Sequence, residues 1–109
     1  MKKLLYLILR NSSVAMHTIE EIRKQGFNGT VLNTESVRHL QIEYPENKHF
    51  YNLNNYEAKF SQESILCLFV VNEEHLDELK EIIRTYTNAF NDIKGCMFSR
   101  SISDFEGSI

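Results

Sequence analysis

The chain has 109 residues, 42% of them hydrophobic and 25% charged, which suits one globular domain over 1–109 and excludes a wholly disordered polymer. A formal net charge of -3 lacks the broad basic field that a nucleic-acid binder carries. Two cysteines, Cys67 and Cys96, have apolar neighbours and no adjacent histidine, so they make no disulfide scaffold and read as small buried hydrophobes in a reducing cytoplasm.

Residues 4–9 are continuously apolar behind Lys2 and Lys3 and are closed by Arg10. The run is far short of the roughly 20 residues that span a membrane, and no small-residue cleavage site follows it. It reads as a central strand of a cytoplasmic protein without a membrane span. Asn11, Ser12 and Ser13 offer caps for a helix over about 14–25, with Val14, Ala15, Ile19 and Ile22 inward and Glu20, Glu21, Arg23 and Lys24 outward. Gly26 is placed to end it in the left-handed region. A second strand is expected over 29–34, around Thr30, Val31 and Leu32, with an extension to about 39.

Between about 40 and 63 no period of 3.6 or 2 holds. The stretch reads as a long loop, with a short hairpin or turn of helix near 53–59. Its aromatic residues, Tyr44, Phe50, Tyr51, Tyr56 and Phe60, either stack on a partner or pin the loop to its own domain. Residues 65–71 form the clearest strand. Asn72 then caps a helix with Glu73 and Glu74 in its first turn and Leu76, Leu79, Ile82, Ile83 and Tyr86 on one face. Asn91 and Asp92 turn the chain into a last strand over 94–99, and 101–109 is a tail, either an edge strand or a lid.

The order β-α-β, loop, β-α-β predicts an α+β ferredoxin-like βαββαβ domain, a four-stranded antiparallel sheet with both helices on one face. The first and third strands are apolar at nearly every position, so the other face also asks for burial; self-association through it is expected, with the long loop folding over the sheet as the alternative.

No motif for catalysis, metal or cofactor stands out. His17, His39, His49 and His75 have no metal-ligand spacing; His17 and His75 fall in first turns of helices, and His39 and His49 flank the loop. The carboxylate pairs Glu20-Glu21, Glu73-Glu74 and Asp77-Glu78 lie on helix exteriors, where they solvate a face. The expected role is therefore non-catalytic, with no cofactor.

Three stretches carry a family resemblance. They are 1–9 (Met-Lys-Lys-Leu-Leu-Tyr-Leu-Ile-Leu), 26–36 (Gly-Phe-Asn-Gly-Thr-Val-Leu-Asn-Thr-Glu-Ser), and the run 65–86 together with Gly95-Cys96-Met97-Phe98. In these the chain resembles the PII signal-transduction superfamily, and more closely an uncharacterised branch of PII-like proteins. The resemblance implies a trimer with open sheet faces turned inward, a protruding loop over 39–64 equivalent to the T-loop, and ligand clefts between subunits near the loop base. It departs where PII nucleotide sites carry Gly-x-Gly-Lys: here Ile93-Lys94-Gly95-Cys96 keeps one glycine, leaving Lys94 or Arg100 to supply charge. The glycine-rich signature of cyclic-dinucleotide-binding relatives is also missing after Thr34.

Two functions follow as expectations. One is a regulatory protein binding a small anionic ligand between subunits through Gly29, Thr30, Ser36, Arg38, Lys94, Gly95 and Arg100. The other is an interaction module that captures a protein partner with Tyr44, Phe50, Tyr51 and Tyr56.

Overall fold

The computed structural model describes residues 1–37, 41–43, 57–59 and 63–108. The elements run β1 (Lys2–Arg10), α1 (Ser13–Lys24), β2 (Thr30–Thr34), β3 (Gln41–Glu43), β4 (Glu57–Lys59), β5 (Ser64–Asn72), α2 (Glu73–Thr87) and β6 (Gly95–Ile102). The four longer strands form one antiparallel sheet in the order β2-β5-β1-β6. With α1 and α2 on one face, this is the ferredoxin-like layout that the order of elements predicts. Within the long loop a separate two-stranded ribbon pairs β3 with β4 antiparallel; the short hairpin or turn of helix expected near 53–59 falls mostly on residues outside those described.

Register decides which side chains share a face, because strand side chains alternate and directly paired residues point the same way. On the helix side stand Leu5, Leu7 and Leu9 of β1 with Ile65, Cys67, Phe69 and Val71 of β5, all buried. Ala15 and Ile22 of α1 and Leu76, Leu79 and Ile83 of α2 close over them. On the opposite side stand Leu4, Tyr6 and Ile8, paired with Val70, Leu68 and Leu66, and the β6 residues Cys96, Phe98 and Arg100. The strand alternates fully buried with half-buried positions, so the continuous apolar run is covered by helices on one side only.

Local chemistry fixes the helix ends. The Ser12 hydroxyl accepts from the Ala15 N–H at 3.2 Å, capping α1. At its other end Gly26 takes φ +92, its N–H donating to the Arg23 carbonyl while the Phe27 N–H reaches Ile22. That double bond is the left-handed stop that glycine allows. Asn72 does occupy the cap position of α2, but its side chain makes no capping bond. The Glu73 N–H is satisfied by the Met1 carbonyl at 2.9 Å.

The structure corrects several details of the sequence reading. Cys96 is exposed on the open face of the sheet, because β6 is an edge strand whose Cys96 faces away from the helices; only Cys67 is buried. β2 ends at Thr34, and the expected extension reaches residues outside those described. The last strand begins at Gly95 and runs to Ile102, since pairing with β1 continues to Lys2. His17 lies beyond the first turn of α1, with its ring edge-on to Tyr86 of α2 at 5.3 Å. The apolar stripe of α1 also includes a buried Thr18, tolerated because its hydroxyl donates to the Val14 carbonyl at 2.8 Å.

Candidate functional site

The end of the sheet where β2 leaves for the loop and β5 returns holds a cavity of about 410 Å³. Its walls include Arg10, Ser36, Glu63, Lys94 and Gly95, over an apolar floor from Ile8. Three chain segments meet here and are tied together by backbone. The Arg10 N–H donates to the Lys94 carbonyl at 2.9 Å, and the Asn11 N–H donates to the Glu63 carbonyl at 2.8 Å. Across the loop base the Ser36 hydroxyl donates to the Glu63 carboxylate at 2.9 Å. Residues 36 and 63 bracket the long loop, so this bond closes its stem.

Charge is distributed unevenly around this cavity. Four cations elsewhere are spent on neighbours: Arg23 on Glu20, Lys24 on Glu21, Arg84 on Glu81 and Lys3 on Glu73. Among the described residues, neither Arg10 nor Lys94 makes a side-chain hydrogen bond or ion pair. Among the described wall residues Glu63 is the one carboxylate, and Ser36 already engages it. Two uncommitted cations on one small cavity attract an anion, and a guanidinium beside an ammonium offers both forked and point-charge donors.

The connection that delivers Lys94 is built with care. After α2, Asn88, Ala89 and Phe90 all take positive φ, at 53, 51 and 61 degrees. Left-handed non-glycine residues cost on the order of 1 kcal/mol each, so the surroundings must hold them. Buried Thr87 does so: its hydroxyl donates to the Ile83 carbonyl at 2.6 Å and accepts from the Phe90 N–H at 3.2 Å. Its carbonyl accepts from the Asp92 N–H at 3.2 Å. Ile93 then drops into the core at 7% exposure, which turns Lys94 outward to the cavity.

The residues expected at a ligand site separate into groups. Ser36, Lys94 and Gly95 come together on this cavity. Gly95 is required by packing, since a Cβ there would collide with the Ile8 carbonyl and lie 2.9 Å from Leu9 Cδ2. Gly29 has a similar cause: a Cβ would stand 2.5 Å from the Leu68 carbonyl oxygen and 2.6 Å from Phe69 Cδ1. Gly29 and Thr30 enter β2 toward the opposite end of the sheet, Thr30 pairing with Leu68. Arg100 pairs with Leu4 on the open face, five positions and about 17 Å along the strand from Gly95. Arg38, Tyr44, Phe50, Tyr51 and Tyr56 lie outside the described residues. Sequence reasoning missed Arg10 and Glu63; the only signal for Arg10 was its place as the charge that ends the first apolar run.

Perturbed titrations occur elsewhere. Burial raises the Cys67 thiol to about 11. On the outer helix surface the Glu21 carboxylate, accepting from the Tyr86 hydroxyl, pushes that phenol up.

No protein-family model matches this chain, and no curated protein does. Solved structures match over nearly its whole length. A functionally unknown protein from Pediococcus pentosaceus ATCC 25745 aligns at TM-score 0.63 and 14% identity, covering 98% of this chain and 97% of that one. CutA1 from Oryza sativa aligns at 0.58 and 12%, covering 96% and 83%. CPII from Thiomonas intermedia K12, a nitrogen regulatory PII-like protein bound to ADP, AMP and bicarbonate, aligns at 0.54 and 17%, covering 90% and 83%. The chain has the PII-like fold. At these identities the likeness is one of fold. Within that PII-like fold, the cavity at the loop base is where the end of β1, the segment after β2, the entry to β5 and the segment before β6 converge.

Proposed function

We propose that this protein is a PII-like regulatory or signalling protein, a single domain that binds a small anionic ligand or nucleotide at the base of its long loop. The observation that carries the reading is the pair Arg10 and Lys94, two cations without a described partner on one cavity beside Ser36 and Gly95. The ligands of CPII, adenine nucleotides and bicarbonate, support the same chemical class. Ile93 argues for a small anion over a polyphosphate. It fills the core where a phosphate cradle needs a glycine, so charge must come from side chains and not from a backbone nest.

The cavity opens on the side of the sheet that the helices leave bare, as Ile8, Arg10 and Ser64 share that face. Copies of the chain packed there would bury the apolar residues around Tyr6 and Phe98 and wall the cavity from a second side. In this reading that assembly is a trimer, as the family resemblance implies, and the protein works in the cytoplasm, as its cysteine usage suggests. No helix among the described residues is long and apolar enough to cross a membrane. The role is binding and assembly, not catalysis.

Calorimetric titration with adenine nucleotides, cyclic dinucleotides, bicarbonate and small dicarboxylates tests this. Expected is saturable binding of about one ligand per chain at micromolar strength, weakened at least about tenfold by Arg10→Gln or Lys94→Gln. Silence across the panel up to about 1 mM sinks the ligand reading and transfers the function to protein capture through the loop.

A further inference from the structure

The opposite end of the sheet carries a second cavity, of about 540 Å³, unrelated to the loop base. Eight β1 positions separate Lys2 from Arg10, about 26 Å along an extended strand. Val70, on the open side of β5 near its end, lines its floor; Phe27, in the turn from α1 to β2, forms one wall. The other wall is the tail after β6, bent back through Asp104 at φ +55 and Gly107 at φ +103. That bend places the half-buried Phe105 ring under the Lys2 ammonium, 5.4 Å from ammonium to centroid.

Two polar groups at this cavity are uncommitted. Lys2 and Asn72 are direct cross-strand partners between β1 and β5 and lie on the same face, which holds their Cβ atoms about 5 Å apart. The Lys2 ammonium has no carboxylate partner among the described residues, only the π-face of Phe105. Its neighbour Lys3, by contrast, is occupied by Ser101 and Glu73. Asn72 sits at the cap position of α2 but its side chain makes no capping bond. An ammonium beside a carboxamide N–H₂ receives a carboxylate, and phenyl rings on two walls over a valine floor receive a flat apolar body. Also on the rim, His75 Nδ1 and Glu78 Oε2 face each other at 3.8 Å.

We infer that this cavity is a second ligand site, specific for an aromatic carboxylate whose acid group sits on Lys2 and Asn72 and whose ring lies between Phe27 and Phe105. The volume lies within the range of small-molecule pockets. The tail is part of the site, so Phe105 contributes affinity as well as shape.

Benzoate is the probe, titrated into isotope-labelled full-length protein and followed by amide chemical shifts. Saturable shifts at Phe27, Asn72, His75 and Phe105 are expected. Acetate, lacking the ring, and benzyl alcohol, lacking the charge, should each bind at least about tenfold more weakly. Lys2→Gln and Phe105→Ala should each lower benzoate affinity at least about fivefold. The inference is overturned if no shift appears at these residues up to about 20 mM benzoate, if Lys2→Gln binds as the parent does, or if the shifts fall around Arg10 and Lys94.

Discussion

The two faces of the four-stranded sheet are made from the same strands and nearly the same residue types, yet they have different fates. Leu5, Leu7 and Leu9 are completely buried beneath α1 and α2, while Leu4, Tyr6 and Ile8, interleaved with them, are half-buried beside their neighbours on the sheet. At the margins of the open face Leu32 is 46% and Phe98 50% exposed, Phe98 stacking on Tyr6 with ring centroids 4.7 Å apart. Burying a large apolar side chain is worth about 1.5–3 kcal/mol. The helix side has already gained that stabilisation within one chain, and the open side has gained only part of it. What separates the faces is the layer above each: among the described residues none covers the open face as the helices cover the other.

Breaking the helix side should have the largest effect on stability. Leu7→Ala removes a fully buried side chain between both helices and the sheet and is expected to cost about 3–4 kcal/mol, read as a lowered denaturant midpoint. Leu68→Ala, one face over, should cost less than half as much in the isolated chain. Equal losses would mean that the two faces are equally covered.

The next effect depends on pH. The Cys67 thiol has its ordinary value of 9.0 raised to about 11 by burial, so between those values the folded chain keeps a proton that the unfolded chain releases. Stability is therefore full below pH 9 and falls as pH rises toward 11, by about 2–3 kcal/mol. Denaturant unfolding across that window should show the decline, and Cys67→Ala should flatten it. Exposed Cys96 makes the contrast sharper: a thiol reagent should modify it in the native chain at a rate at which Cys67 is untouched, and assembly over the open face should slow it.

Thr87→Val is expected to cost about 1–2 kcal/mol, because the Phe90 N–H loses its acceptor in a strained turn; Thr87→Ser should restore most of it. The smallest change in stability, below about 1 kcal/mol, is expected for Phe98→Asp at its half-exposed edge position. Sedimentation should nevertheless show that variant as a monomer if copies meet through the open face. An unchanged mass would place the contact elsewhere.

Much of the architecture was legible because it is written in local patterns. The run Leu4-Leu5-Tyr6-Leu7-Ile8-Leu9 announces a strand, Ser12 and Gly26 announce the ends of a helix, and the three-and-four spacing of Leu76, Leu79 and Ile83 announces its buried side. The site was legible in part. Ser36, Lys94 and Gly95 were named from a family pattern and do meet at one cavity. Arg10 and Glu63 were overlooked, since nothing next to them in sequence marks a site; they acquire one only when Arg10 bonds to Lys94 and Asn11 to the Glu63 carbonyl. Gly29 was read as a ligand contact, and the geometry adds a packing cause, the approach of β2 to Phe69.

The sequence by itself determined the order of elements, the caps and the apolar character of both sides of β1 and β5, because these depend on propensity and period within a few residues. Only the tertiary structure decided which side the helices cover, and that Cys67 is buried while Cys96 is bare. It also decided that Lys94 faces Arg10 while Lys2 faces Phe105, some 26 Å away along β1. Those outcomes rest on register between strands distant in sequence, where a slip of one residue would exchange the faces, and no local pattern carries that information.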